Sequence, residues 1–105
     1  MQLSTSDTIP GKTIQSSLGL VKGSTVRAKW FGRDIMAGLK HLVGGEIKGY
    51  TQMMNEARQE AIARMEAEAK KLGADGVIAM RLASSTVMQG ASEFLAYGTA
   101  VKLKK

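Results

Sequence analysis

The 105 residues hold one histidine, His41, and no cysteine. That scarcity limits the chemistry. A transition-metal site draws on imidazole and thiolate ligands, which on a helix recur three or four residues apart. At those distances from His41 stand Ala37, Gly38, Gly44 and Gly45, none of them a ligand. His41 therefore reads as a packed or solvated histidine. Hydroxyls are plentiful, but there is no Gly-x-Ser-x-Gly elbow. A hydroxyl–imidazole–carboxylate set would have to use His41, which falls in mid-helix. Gly44-Gly45-Glu46 lacks the Gly-Lys-Ser/Thr ending of a phosphate loop and puts an anion where the phosphate would sit. No catalytic residue, metal ligand or cofactor-binding residue is expected.

Five polar residues remain as interface or ligand candidates: Arg33, Asp34, Tyr50, Glu68 and Arg81. Arg81 is the lone charge in an apolar run, so it is expected to pair with a carboxylate or to meet an anion within an assembly. Glu68 projects into an apolar helical stripe with Arg64 at its edge, which suggests an ion pair or an interface contact. Arg33 and Asp34 are expected to fix a short helix as a pair, and Tyr50 to pack. Three readings follow. The first is a self-assembling binding or scaffold module that is not an enzyme. The second is a metal-ion or anion binder whose sites repeat about a symmetry axis, using Arg81, Glu68 and Asp34. The third is an enzyme acting at subunit interfaces through Arg33, Asp34 and Tyr50.

The element that must position these residues is Tyr50–Leu72. Tyr50, Met54, Ala57, Ala61, Met65, Ala69 and Leu72 recur at three and four residues, the helical period. Gly49 precedes this stretch. Gly73 stands where a left-handed C-terminal cap would sit, and Lys70 and Lys71 suit the negative end of the helix dipole. Glu60 and Arg64 form an i,i+4 pair in the favourable order. A stripe of Ala and Met implies a close-packed, adaptable contact.

Before that helix, Leu3–Thr5 suits a short edge strand and Pro10-Gly11 a turn. Thr13–Val21 reads as a strand with Ile14, Leu18 and Leu20 on one face, and Lys22-Gly23-Ser24 as a turn. Thr25–Trp30 reads as a second extended piece. Phe31–Val43 reads as a short helix with Ile35, Met36, Leu39, Leu42 and Val43 inward. After the long helix, Asp75–Ala83 is a strand, with Val77, Ala79 and Arg81 facing one way and Ile78, Met80 and Leu82 the other. Ser84–Ser92 reads as a loop and Glu93–Leu103 as the last strand, pairing antiparallel with its predecessor. The outcome is one α+β domain over 1–105, with a short and a long helix on one face of a small antiparallel-containing sheet.

Only five residues are aromatic: Trp30, Phe31, Tyr50, Phe94 and Tyr97. The core is lean, both sides of the last two strands are apolar or small, and a second copy is expected on the open side. The net charge is +6, but the cations are scattered except for Lys102, Lys104 and Lys105, so nucleic acid is not the expected partner. No apolar run of membrane-spanning length and no signal pattern is present, which makes the cytoplasm the expected location.

Several segments together are similar to the YbjQ family, which carries a heavy-metal-binding label. They are GRDIMAGLKHLVGGE at 32–46, YTQMMNEAR at 50–58, LGADGVIAMR at 72–81 and YGTAV at 97–101. The resemblance covers the whole chain. It implies a dodecin-like α+β subunit assembled into a homo-oligomeric ring of five. Many members carry an acidic Asp-x-Asp-Tyr-Glu-like strand. Here the corresponding positions are Arg81, Ala83, Ser84 and Ser85, within the neutral-strand form of the family. The carboxylates that a hard metal would want are absent there, so no metal ligand is carried over.

Overall fold

The computed structural model describes residues 1–28, 45–88 and 91–105, side chains at 28 and 45–50 excepted. Four strands and one helix follow in order: β1 (Gln2–Leu3), β2 (Ile14–Ala28), α1 (Gly45–Lys71), β3 (Gly76–Met88) and β4 (Ala91–Leu103). The sheet order is β1-β3-β4-β2. β1 runs parallel to β3, and β4 is antiparallel to both β3 and β2. The sheet is mixed, and α1 packs on one face of it.

The helix is 27 residues long, about 40 Å at 1.5 Å per residue. It begins at Gly45, not Tyr50, and runs through Gly49, so a single glycine does not interrupt it. Its C-terminus is the expected one. Gly73 has φ +80°, its N–H donates to Lys70 O, and Ala74 N–H donates to Ala69 O. That pair of bonds is the Schellman motif, and it turns the chain directly into β3.

Ala57, Ala61, Met65 and Ala69 are fully buried along the helix. They meet Val21 of β2, Val77 of β3, and Phe94, Ala96 and Ala100 of β4. Helical spacing in one element and period two in the other thus converge on one core. Met65 and Phe94 are the largest side chains in it, and the burial of Met65 contributes about 2–3 kcal/mol.

β2 departs most from the sequence reading. The expected turn at Lys22-Gly23-Ser24 is strand interior, and two pieces are one 15-residue strand. Gly23 is there for the helix: a Cβ would lie 2.3 Å from Met65 N and 2.4 Å from Ala61 O. The backbones of α1 and β2 touch, and only glycine permits it. Two residues on, Thr25 Oγ1 donates to Ala57 O at 3.0 Å, so a second contact to helix backbone is polar and satisfied. Ile14, Leu18 and Leu20 do not share a face, because register shifts lie between Ile14 and Ser16 and between Ser17 and Gly19. Leu18 packs on the helix core, Ile14 joins Ile9, Val101 and Leu103 on the other face, and Leu20 is exposed.

The loop expected over 84–92 is mostly strand. β3 continues to Met88, β4 starts at Ala91, and Met88 pairs with Ala91. β-Branched Thr86 and Val87 suit that extension. A bulge between Ile78 and Arg81, with Ala79 at φ +52°, reverses the expected facing beyond it. Val77 faces the helix side with Ala100, whereas Arg81 pairs with Tyr97 on the opposite face. In β4 the expected alternation is present: Phe94, Ala96, Gly98 and Ala100 are buried on the helix side, and Leu95, Tyr97 and Thr99 are half-buried on the other. The short helix expected over Phe31–Val43 lies outside the described residues.

The subunit is elongated. Its extents are 56 × 24 × 17 Å and its radius of gyration is 17.2 Å, against about 13 Å for a compact chain of this length.

Gly23→Ala is expected to destabilise the fold by about 3 kcal/mol, the upper range of overpacking, since two backbones must separate. Gly73→Ala should cost about 1 kcal/mol through its left-handed φ alone. Urea denaturation at one fixed protein concentration checks the ranking.

Candidate functional site

The two long edges of the sheet carry the polar geometry. β2 is the outer strand on one side. Its outward backbone groups meet helix side chains instead of another strand. Arg64 NH1 donates to Ser24 O at 2.6 Å, and Lys22 N–H donates to Glu68 Oε1 at 3.4 Å. Arg64 also pairs with Glu60 at 2.6 Å, and Glu60 with Arg27 of β2. The i,i+4 pair read from the sequence is present. Glu68, in contrast, is bonded to the Lys22 backbone, not to Arg64. These groups are a third or more exposed, so each ion pair contributes no more than about 1 kcal/mol. Beside them lies an open groove of about 480 Å³ lined by Lys22, Gly23, Ser24, Arg64, Glu68, Glu93 and Leu95. Its charges are mixed, two cations and two carboxylates, so it selects for neither sign.

The other edge is β3, which β1 covers only at Gly76 and Val77. Just beyond, the bulge is clamped by the N-terminal segment. Ala79 N–H donates to Ser6 O and Met80 N–H to Ser4 O. Arg81 NH1 donates to Thr5 O at 2.6 Å and to Met80 O at 2.8 Å. The guanidinium thus holds two carbonyls across the bulge, and among the described residues it pairs with no carboxylate. Within one subunit the charge is exposed, with its hydrogen bonds directed to backbone. Ser4 and Ser6 hydroxyls both donate to Thr8 O, which shapes the loop that Arg81 grips. Only its Ser and Thr content marks that loop before the fold is seen.

Glu68 and Arg81 therefore lie on opposite sides of β4 and form no common site. Tyr50 is within α1, but its side chain lies outside the described residues, as do Arg33, Asp34 and His41. Among the described residues no three of His, Cys, Asp and Glu gather in a metal-binding group. Two of the described carboxylates are engaged elsewhere: Asp75 Oδ2 accepts from Leu103 N–H at 2.9 Å, tying the start of β3 to the end of β4, and Glu60 is held by two arginines. The described residues offer no clustered donor set for a heavy metal. No helix of the described residues is long and apolar enough to cross a membrane.

Arg81→Gln is expected to speed amide exchange at residues 4–8 and at Ala79 and Met80 several-fold, leaving the α1 amides near Met65 unchanged. Hydrogen exchange read by NMR checks it.

Residues 1–104 match the YbjQ family, described as "Putative heavy-metal-binding". A UPF0145 protein of Psychromonas ingrahamii is 57% identical, with all of both chains covered. The UPF0145 protein of Thermotoga maritima is 56% identical over 100% of this chain and 99% of its own. That of Archaeoglobus fulgidus is 55% identical over 97% of this chain and 94% of its own. A crystal structure of a DUF74-family protein of Pediococcus pentosaceus superposes with a TM-score of 0.65 at 19% identity, covering 99% of this chain and 98% of that one, so the fold is shared. With the family match running the length of the fold described above, the chain belongs to the YbjQ family.

Proposed function

We propose that the protein is a homo-oligomeric binding or scaffold protein of the cytoplasm, built as a ring of five subunits and without catalytic activity of its own. The observation that carries this reading is the uncovered part of the sheet. α1 covers β2 and β4, whereas Leu20, Val26, Leu82, Val87 and Met88 are 46–67% exposed on strands. Apolar strand surface left in water favours association. The elongated subunit agrees, since a ring supplies the contacts that one subunit lacks.

The family's metal label supports a second reading, in which a metal ion or an anion binds where subunits meet. Repetition around an axis would multiply single side chains such as Glu68 or Arg81 into a set.

Native mass spectrometry from gentle, chelator-free buffer tests both. The expected result is one assembly at an integral multiple of 11.2 kDa. A monomer at micromolar concentration contradicts the ring. A reproducible extra mass on the assembly moves the reading to the metal or anion binder, and its absence keeps the scaffold.

A further inference from the structure

Cations that look scattered along the sequence are gathered by the fold. At one end of the elongated subunit α1 ends, β3 begins, β4 ends and β2 begins, since Gly76 pairs with Val101 and Ile14 with Leu103. Lys102 Nζ donates to Gly73 O at 2.9 Å, just past Lys70 and Lys71 in the last turn of α1. Lys104 N–H donates to Thr13 O at 2.8 Å, beside Lys12. Lys12, Lys70, Lys71, Lys102, Lys104 and Lys105 thus share this end, and all but Lys102 are exposed.

Part of this charge belongs to the fold. Lys70, Lys71 and Lys102 stand at the negative end of the α1 dipole, and Lys102 satisfies a carbonyl there. That leaves Lys12, Lys104 and Lys105 without a structural purpose, and among the described residues none of the six lysines pairs with a carboxylate. Glu68 and Asp75, which lie close by in the chain, accept instead from the N–H groups of Lys22 and Leu103. Such a cluster of unpaired ammonium groups sets up a field that draws anions. Its makeup narrows the partner. The patch is lysine throughout, without the planar arginine fork that grips phosphate in two places. Phe94 and Tyr97, the aromatic residues whose side chains are described, lie further along β4, so no ring is offered for a base to stack on. What does stand beside Lys70 and Lys71 is Leu72, 47% exposed although it continues the apolar stripe of the helix. An apolar side chain among lysines gains from entering a lipid headgroup layer and gains nothing from a phosphate backbone.

We propose that this lysine end docks on the surface of an anionic lipid bilayer, with Lys12, Lys70, Lys71, Lys104 and Lys105 against the headgroups and Leu72 dipping among them. No spanning helix is needed, because contact of this kind is peripheral and reversible. The patch is complete in each subunit, so the docking does not rest on the ring reading. A ring would repeat the patch and raise the avidity without adding a new contact.

Co-sedimentation with vesicles tests it, using phosphatidylcholine alone and phosphatidylcholine with phosphatidylserine in equal parts. The wild type is expected on the anionic vesicles only, and added salt should release it. Lys104→Gln with Lys105→Gln neutralises two exposed lysines without touching the helix cap, and should weaken vesicle binding about 25-fold, at about fivefold for each lysine. Leu72→Ser should weaken it as well, whereas Lys48→Gln, near the other end of α1, should not. Native mass spectrometry of each variant keeps a change of assembly from passing as a loss of the patch; if the double variant changes mass, Lys12→Gln with Lys71→Gln replaces it, with the same loss expected. Absence of the wild type from anionic vesicles, equal binding to neutral ones, or full binding by the double variant overturns the proposal. So does binding to a DNA duplex that is tighter than to the vesicles and indifferent to Leu72→Ser, which would assign the patch to nucleic acid. A wild-type monomer on anionic vesicles removes the ring reading and leaves the docking; a ring that ignores them does the reverse.

Discussion

The contact between the backbones of α1 and β2 at Gly23 is the constraint on which the rest depends. With Met65 N and Ala61 O within 2.4 Å of where a Cβ would stand, helix and strand are closer than side chains normally allow. That approach requires the Ala57, Ala61 and Ala69 stripe, since anything larger would push the helix away. It also explains the thin core, in which Met65, Phe94 and two valines pack among alanines. A helix seated this tightly on β2 covers β2 and β4 but does not reach the outer half of β3. The exposed apolar strand and the small-residue stripe are therefore two consequences of one contact.

The same contact brings Arg64 and Glu68 round the edge of β2. They satisfy Lys22 N–H and Ser24 O, and with Glu60 and Arg27 they build a charged fringe. These bonds are exposed and individually weak, so they protect the edge in water without closing it to a competing strand. On the other side, the N-terminal segment clamps the bulge at Arg81, and among the described residues the neutral run beyond it has no such fringe. The heavy-metal label sits less easily on this geometry, because among the described residues no three metal-ligating side chains gather in one place.

Much of the fold was legible because it rests on periodicity. The stripe from Met54 to Ala69, the Gly73 cap and the alternation of Phe94, Ala96, Gly98 and Ala100 are all visible without coordinates. What failed was local punctuation. Lys22-Gly23-Ser24 has turn composition, yet Gly23 answers to a helix forty residues away in sequence. Ser84–Ser92 has loop composition, yet pairing with β4 keeps Ser84–Met88 extended. The bulge at Ala79 cannot be read from residue types, and it reversed the facing of Arg81. Of the candidate residues, Glu68 reads from the sequence as projecting into the stripe, and in the fold it is exposed and accepts from a backbone N–H. Arg81 proved to grip carbonyls. Long-range backbone contacts leave no mark on spacing, so roles of this kind stay hidden.

The proposed ring requires that another copy cover the apolar part of β3 that is exposed in one subunit. The most direct measurement is amide hydrogen exchange of the wild-type protein at Leu82, Ser84 and Thr86, at a concentration where its mass is known. In one subunit these three residues are exposed, and their amides would exchange within the range of unprotected edge strands. Slow exchange there, matching that of Phe94 and Ala96 and lost on dilution to the monomer, is the predicted result. Fast exchange at all three in an assembled ring would contradict it.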